Sequence, residues 1–136
     1  IEFIDSNPHI EIIELGNSGE VFLNPDLPRI LKYAYDKGVT IRIGEGANLN
    51  DASDEALEAL VKYSVYLLRV SIDGATQRTY QIYRVGGNLK KVLNNVQRIN
   101  EYKMRYKSCL PRLILQFIPF GHNEHEIKNI TVMAQA

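Results

Sequence analysis

A single cysteine, Cys109, occurs in the 136 residues. One thiol cannot form an internal disulfide, and alone it cannot make a zinc site or an iron–sulfur cluster, each of which needs several thiolates or imidazoles. A reducing, cytoplasmic compartment is the natural setting for such a chain. Excess charge is also missing, since 16 Lys and Arg face 16 Asp and Glu. Without a sequence-wide positive field, counterion release gives no drive toward nucleic acid or an anionic membrane. No apolar run approaches the roughly 18 residues of a spanning helix. The opening Ile1-Glu2-Phe3-Ile4-Asp5 lacks the basic and apolar regions of a signal peptide. No linker, repeat or low-complexity tract divides the chain, and no methionine opens it, as expected of a piece excised from a longer protein. What is present, 45% hydrophobic residues, is enough for one globular core.

Four β-branched runs, at 10–15, 39–43, 67–72 and 113–118, read as strands. Helical periodicity fills the intervals. Asn24 is expected to cap a helix with Pro25 in its first turn and Leu27, Ile30, Leu31 and Ala34 on one face, closed by Gly38. Ser53 is expected to cap a second, with Asp54 and Glu55 against its positive end and Leu57, Leu60 and Val61 inward. A short helix from Thr76 to Tyr83 stops at Gly86-Gly87, and Asn88 opens a long one carrying Leu89, Val92, Leu93, Val96 and Ile99. Asn123 to Glu126 resembles a capping box before a last helix. The first seven residues read as a helix end halted at Pro8.

Alternating strands and helices predict an α/β fold with right-handed crossovers and a parallel sheet. Eight such units make a barrel of roughly 250 residues, so this chain is expected to hold about half of a TIM-type (β/α) barrel in one domain, residues 1–136. A complete, smaller doubly wound domain is the competing architecture.

Ligands of parallel α/β folds lie at the carboxyl ends of the strands. The loops there run Gly16-Asn17-Ser18-Gly19-Glu20, then Gly44-Glu45-Gly46-Ala47-Asn48, then Ser71-Ile72-Asp73-Gly74, then Gln116 and Pro119 to His125. None is a phosphate loop, because the Lys-Ser/Thr of a Walker motif is absent and Gly44-x-Gly46 lacks its third glycine. The set is rich in oxygen acceptors and suits a ligand with an ammonium group and hydroxyls. The bland alternative is that these glycines and Asp-Gly serve only turns and caps.

Taken in order, Ser18 to Pro25, Ile41 to Gly46, Val70 to Ala75 and Tyr80-x-x-Tyr83-Arg84-Val85-Gly86-Gly87-Asn88 resemble the central part of a radical S-adenosylmethionine enzyme domain, over about residues 10–130. The resemblance is closest to members that modify peptides or other cellular products and carry extra cluster domains. It implies that Gly19-Glu20 matches the Gly-Gly-Glu motif that holds the cofactor's amino group, with Ser18 in place of the first glycine. It implies that Ser71 bonds the ribose or carboxylate, with the Asp73-Gly74 turn beneath it, and that Arg84 pairs with the carboxylate. Glu45 stands where many members have Asn, so Asn48 is expected to take over that polar role. Gln116 falls on a strand that lines the substrate side.

The departure from that family is as informative as the match. Members hold a [4Fe–4S] cluster by Cys-x-x-x-Cys-x-x-Cys after the first barrel strand, and this sequence has no such motif. The cofactors implied are therefore S-adenosylmethionine and a [4Fe–4S] cluster in an intact parent, with the cluster ligands absent from this chain. The fragment alone is expected to be inactive. The chain is expected to carry no catalytic residue and no metal ligand of its own, and the substrate is unknown. A non-catalytic α/β binding or interaction domain is the alternative. Open sheet edges invite self-association.

The remaining features read as structural. His122-x-x-His125 with Glu124 and Glu126 is expected to be an exposed polar cap rather than a metal site. Cys109 is expected to be a structural or exposed thiol, and the basic residues of the long helix to be solvated. The tyrosines are expected to pack by their rings, with Tyr80 and Tyr83 nearest the cofactor side.

Overall fold

The structure, a computed structural model, describes residues 1–17 and 19–135. It is α/β: α1 (Glu2–Ser6), β1 (Ile12–Glu14), α2 (Leu27–Asp36), β2 (Thr40–Ala47), α3 (Asp54–Lys62), β3 (Leu67–Ser71), α4 (Gln77–Tyr83), α5 (Leu89–Tyr106), β4 (Arg112–Gln116) and α6 (Ile127–Gln135). Short 3₁₀ turns occupy Val21–Leu23, Leu49–Asp51 and Glu124–Glu126.

The four strands are all parallel and adjacent in chain order, β1-β2-β3-β4. That order decides between the two expected architectures. A doubly wound sheet reverses direction at a switch point, whereas this sheet advances one strand at a time as a barrel does. Right-handed crossovers then place the helices on one side. In accord, α2 packs against α3 and α3 against α5. Their apolar faces meet Ile41, Ile43, Leu68 and Val70 in one core.

The strand alternation sets the other face. Register places Glu14 beside Arg42, Arg42 beside Leu67, Leu67 beside Arg112, and Ser71 beside Gln116. Successive side chains alternate, so Glu14, Arg42, Arg69, Ser71, Arg112 and Gln116 share the face turned away from the helices. Ile12, Leu67 and Ile114 lie on this face too, so it is mixed, with charged and polar side chains among three apolar ones.

Local chemistry explains most boundaries. Ser53 caps α3 by accepting from Ala56 N–H at 3.1 Å, and Asn88 caps α5 by accepting from Lys91 N–H at 3.0 Å. Thr76 does the same for α4. The start of α2 differs from expectation. Asn24 does not cap it; its side chain accepts from Asp26 N–H at 3.0 Å in an Asx turn, Asp26 is the N-cap, and Pro28 rather than Pro25 lies in the first turn. Two prolines three residues apart offer two starts, and the turn at Val21–Leu23 takes up the first. Leu27, Leu31 and Ala34 are buried as expected. β1 is shorter than its apolar run, while β2 extends through Gly44-Glu45-Gly46 to Ala47, with a register irregularity between Ile43 and Ala47. Among the described residues no helix is long and apolar enough to cross a membrane.

Candidate functional site

The carboxyl ends of the strands gather the polar loops at one edge of the sheet. Glu20 spans the first two. One carboxylate oxygen accepts from Phe22 N–H at 3.3 Å and caps the Val21–Leu23 turn; the other accepts from Asn48 N–H at 2.7 Å. Burial pushes this carboxyl above its usual value, against the pull of those two amides. Gly19, just before it, holds φ +94°, a conformation that favours glycine. Ser18 lies outside the described residues. Gly16, Gly19 and Glu20 line a small cavity with Glu45 and Gly46.

Asn48 orients rather than projects. Its side-chain oxygen accepts from Asn50 N–H at 3.0 Å and from Asn50 Nδ2 at 2.6 Å. Asn50 is the buried hub of this region. Its Nδ2 also donates to the Tyr80 hydroxyl at 2.9 Å, and its Oδ1 accepts from Asn88 N–H at 2.8 Å. One side chain thus joins the β2 loop to α4 and to the start of α5. Burial raises the Tyr80 phenol above its usual value.

Ser71 is buried at the end of β3, opposite Gln116 and beside Gly46. A Cβ on Gly46 would come within 2.6 Å of Ser71 Oγ and 2.5 Å of Gln116 Oε1, and Gly46 has φ +98°. Glycine is therefore required twice over, by backbone and by space. Gln116 Oε1 is buried with no hydrogen-bond donor among the described residues. Buried acceptors are nearly always satisfied, so this oxygen marks a place for a donor.

Asp73 and Arg84 form a pair, with Arg84 Nε donating to Asp73 Oδ2 at 2.7 Å. Asp73 Oδ1 accepts from Ile118 N–H at 3.0 Å, and Asp73 is fully buried. Asp73 therefore ties the loop after β3 to Arg84 and to the chain after β4. Arg84 spends Nε on Asp73, stacks over the Tyr83 ring at 5.2 Å from the centroid, and keeps its terminal nitrogens for other partners.

The loop after β4 departs from expectation. Asn123 does not cap the following turn with its side chain. It is wholly buried, accepts from Phe120 N–H at 2.6 Å, and donates to the carbonyls of Asp73 and Ile118, both at 3.0 Å. Glu126 is likewise buried rather than an exposed cap. It accepts from Ala75 N–H at 2.6 Å and from the Thr76 and Thr79 hydroxyls, each at 3.0 Å. Burial alone would raise this carboxyl, but the three donors outweigh it and hold the group below its usual value. These bonds reach across about fifty positions of sequence, which no local pattern reports. Asn50 had a nearer signal in the Asn48-Leu49-Asn50 spacing, which suits an Asx turn.

Among the described residues no group of three His, Cys, Asp or Glu side chains could hold a metal ion. The residues present do not fit a [4Fe–4S] cluster, which needs three thiolates. Cys109 is exposed, between α5 and β4. Ser71, Gly46 and the orphaned Gln116 oxygen lie packed together at the ends of β3, β2 and β4.

No family model matches the chain. Over 99 residues, 65% of the chain, it is 29% identical to the beta-galactosidase BgaA of Clostridium cellulovorans. The chain spans 14% of that protein's length.

Proposed function

We propose that this chain is the cofactor-facing part of a radical S-adenosylmethionine (β/α) barrel enzyme, acting in the cytoplasm on a substrate still to be identified. The observation that supports it most is the convergence of Glu20, Ser71 and the Asp73–Arg84 pair at the carboxyl edge of a sheet wound in the order β1-β2-β3-β4. The motif order along the chain agrees with that placement.

In this reading Ser71 and the Gly46 cradle hold the ribose side of S-adenosylmethionine, and the free end of Arg84 meets its carboxylate. Gly19 presents its backbone to the amino group, while Glu20 and Asn48 set the shape of the two loops around it. S-adenosylmethionine supplies the 5′-deoxyadenosyl radical of the family's chemistry, and the three cysteines for the cluster have to come from outside these 136 residues. The gene segment before Ile1 tests this directly. A strand followed by Cys-x-x-x-Cys-x-x-Cys is expected there, and its absence sinks the reading. With it, anaerobic cluster reconstitution should give 5′-deoxyadenosine from S-adenosylmethionine, and Ser71→Ala should weaken cofactor binding.

A second reading is a non-catalytic α/β binding domain. What favours it is that both oxygens of Glu20 and both of Asp73 are already engaged by protein donors. Calorimetry with S-adenosylmethionine on the intact, cluster-reconstituted parent separates the two, since a binding domain of other specificity shows no heat of binding with this ligand.

A further inference from the structure

We propose that the sheet face turned away from the helices binds an anionic group of the substrate, a carboxylate or a phosphate, through Arg69 with Arg42. This rests on the barrel reading above, in which that face becomes the lumen.

The charges on the face do not balance. Glu14 is its one carboxylate among the strand positions, against Arg42, Arg69 and Arg112. Glu14 is already committed, since one oxygen accepts the Gly44 N–H and the other lies 3.5 Å from Arg42 Nε. That separation is too long for a good hydrogen bond, and Arg42 Nε is buried without an acceptor. Arg69, half-buried at the centre of β3, has no ion pair among the described residues. Arginine is the side chain whose planar fork matches carboxylate and phosphate oxygens.

Position adds a second element. Arg69 is two residues before Ser71 on one strand, roughly 7 Å deeper than the strand ends. The donor-seeking oxygen of Gln116 is level with Ser71. The face therefore offers an anion its place about 7 Å below the strand ends, where Arg69 lies.

The test follows arginine Nε–H resonances by NMR during titration of the 136-residue chain with inorganic phosphate and, separately, with succinate, at constant ionic strength. Saturable shifts are expected at Arg69 and Arg42 and not at exposed Arg29. The anion that saturates at lower concentration identifies the group. Arg69→Gln should weaken binding at least about tenfold, and Glu14→Gln should tighten it about threefold by removing a like charge. Should Arg69→Gln unfold, Arg69→Lys and Glu14→Gln carry the comparison. Linear shifts shared by Arg29, or unchanged affinity in folded Arg69 and Glu14 variants, overturn the proposal. Calorimetry with S-adenosylmethionine on the intact, cluster-reconstituted parent keeps the two readings apart: cofactor binding without anion binding defeats this inference alone, and anion binding without cofactor binding defeats the enzyme reading alone.

Discussion

Arg84 Nε donates to Asp73 Oδ2 at 2.7 Å, and Asp73 is buried while Arg84 is one-quarter exposed at its side chain. The pair is thus asymmetric. Removing the arginine leaves a buried carboxylate with only the Ile118 amide, whereas removing the carboxylate leaves an arginine that can turn to water. Arg84→Met should therefore destabilise the fold by about 2–3 kcal/mol. Adding Asp73→Asn to it should recover part of that loss. Urea denaturation of the two single variants and the double variant measures the coupling, and strict additivity would contradict a direct pair.

Gly46 makes the sharpest steric prediction. Its positive φ and the approach of Ser71 Oγ and Gln116 Oε1 leave no room for a methyl group. Gly46→Ala should cost about 2–3 kcal/mol and, if the proposed cofactor reading holds, abolish binding of S-adenosylmethionine. Adding Ser71→Ala relieves only part of the clash, because the backbone conformation stays unfavourable. A folded Gly46→Ala variant with wild-type stability would show that the β2 end takes another path. Chemical denaturation and calorimetry together decide this.

Much of this was legible in local sequence. The caps at Ser53 and Asn88 worked because an Asn or Ser before an apolar-periodic run bonds amides only two or three residues away. Parallel pairing followed from alternation of strand and helix, and the strand order then distinguished the barrel-like winding, which sequence could not do. Asn123 and Glu126 depart from the capping pattern for a physical reason. Their positions at a helix start suit capping, but their side chains turn inward to satisfy Asp73, Ala75, Thr76 and Thr79, brought close only by the sheet. The engagement of Glu20 with Asn48 N–H was invisible for the same reason, since it joins two loops 28 residues apart.

The edge strands β1 and β4 each present one side without a partner strand among the described residues. Ile12 on β1 and Ile114 on β4 are exposed, 57% and 39%. Unpaired parallel edges template association, and Ile12 and Ile114 extend the exposed surface beside them on the face turned away from the helices. Sedimentation of the 136-residue protein should show concentration-dependent oligomers, and Ile12→Lys with Ile114→Lys should shift it toward monomer. A sharp monomer boundary at all concentrations would contradict open edges.

Glu20 and Glu126 should make opposite contributions to stability as pH changes. For Glu126 the folded carboxyl lies below its ordinary value of 4.5, so the unfolded chain binds more protons in that window. Its contribution is present above pH 4.5 and is lost as pH falls through the folded value. Glu20 is raised by burial, so the folded state holds its proton longer. Its contribution is present below pH 4.5 and is lost as pH rises through the raised value. Glu126→Gln, which forfeits an acceptor for Ala75, Thr76 or Thr79, should lose about 1–2 kcal/mol at neutral pH and flatten the acid limb of the stability profile. Glu20→Gln should flatten the decline on the other side of pH 4.5 while leaving the acid limb in place. Urea midpoints taken from pH 3 to pH 8 measure both limbs. Identical slopes in the two variants would mean that neither carboxyl carries the proton linkage assigned to it.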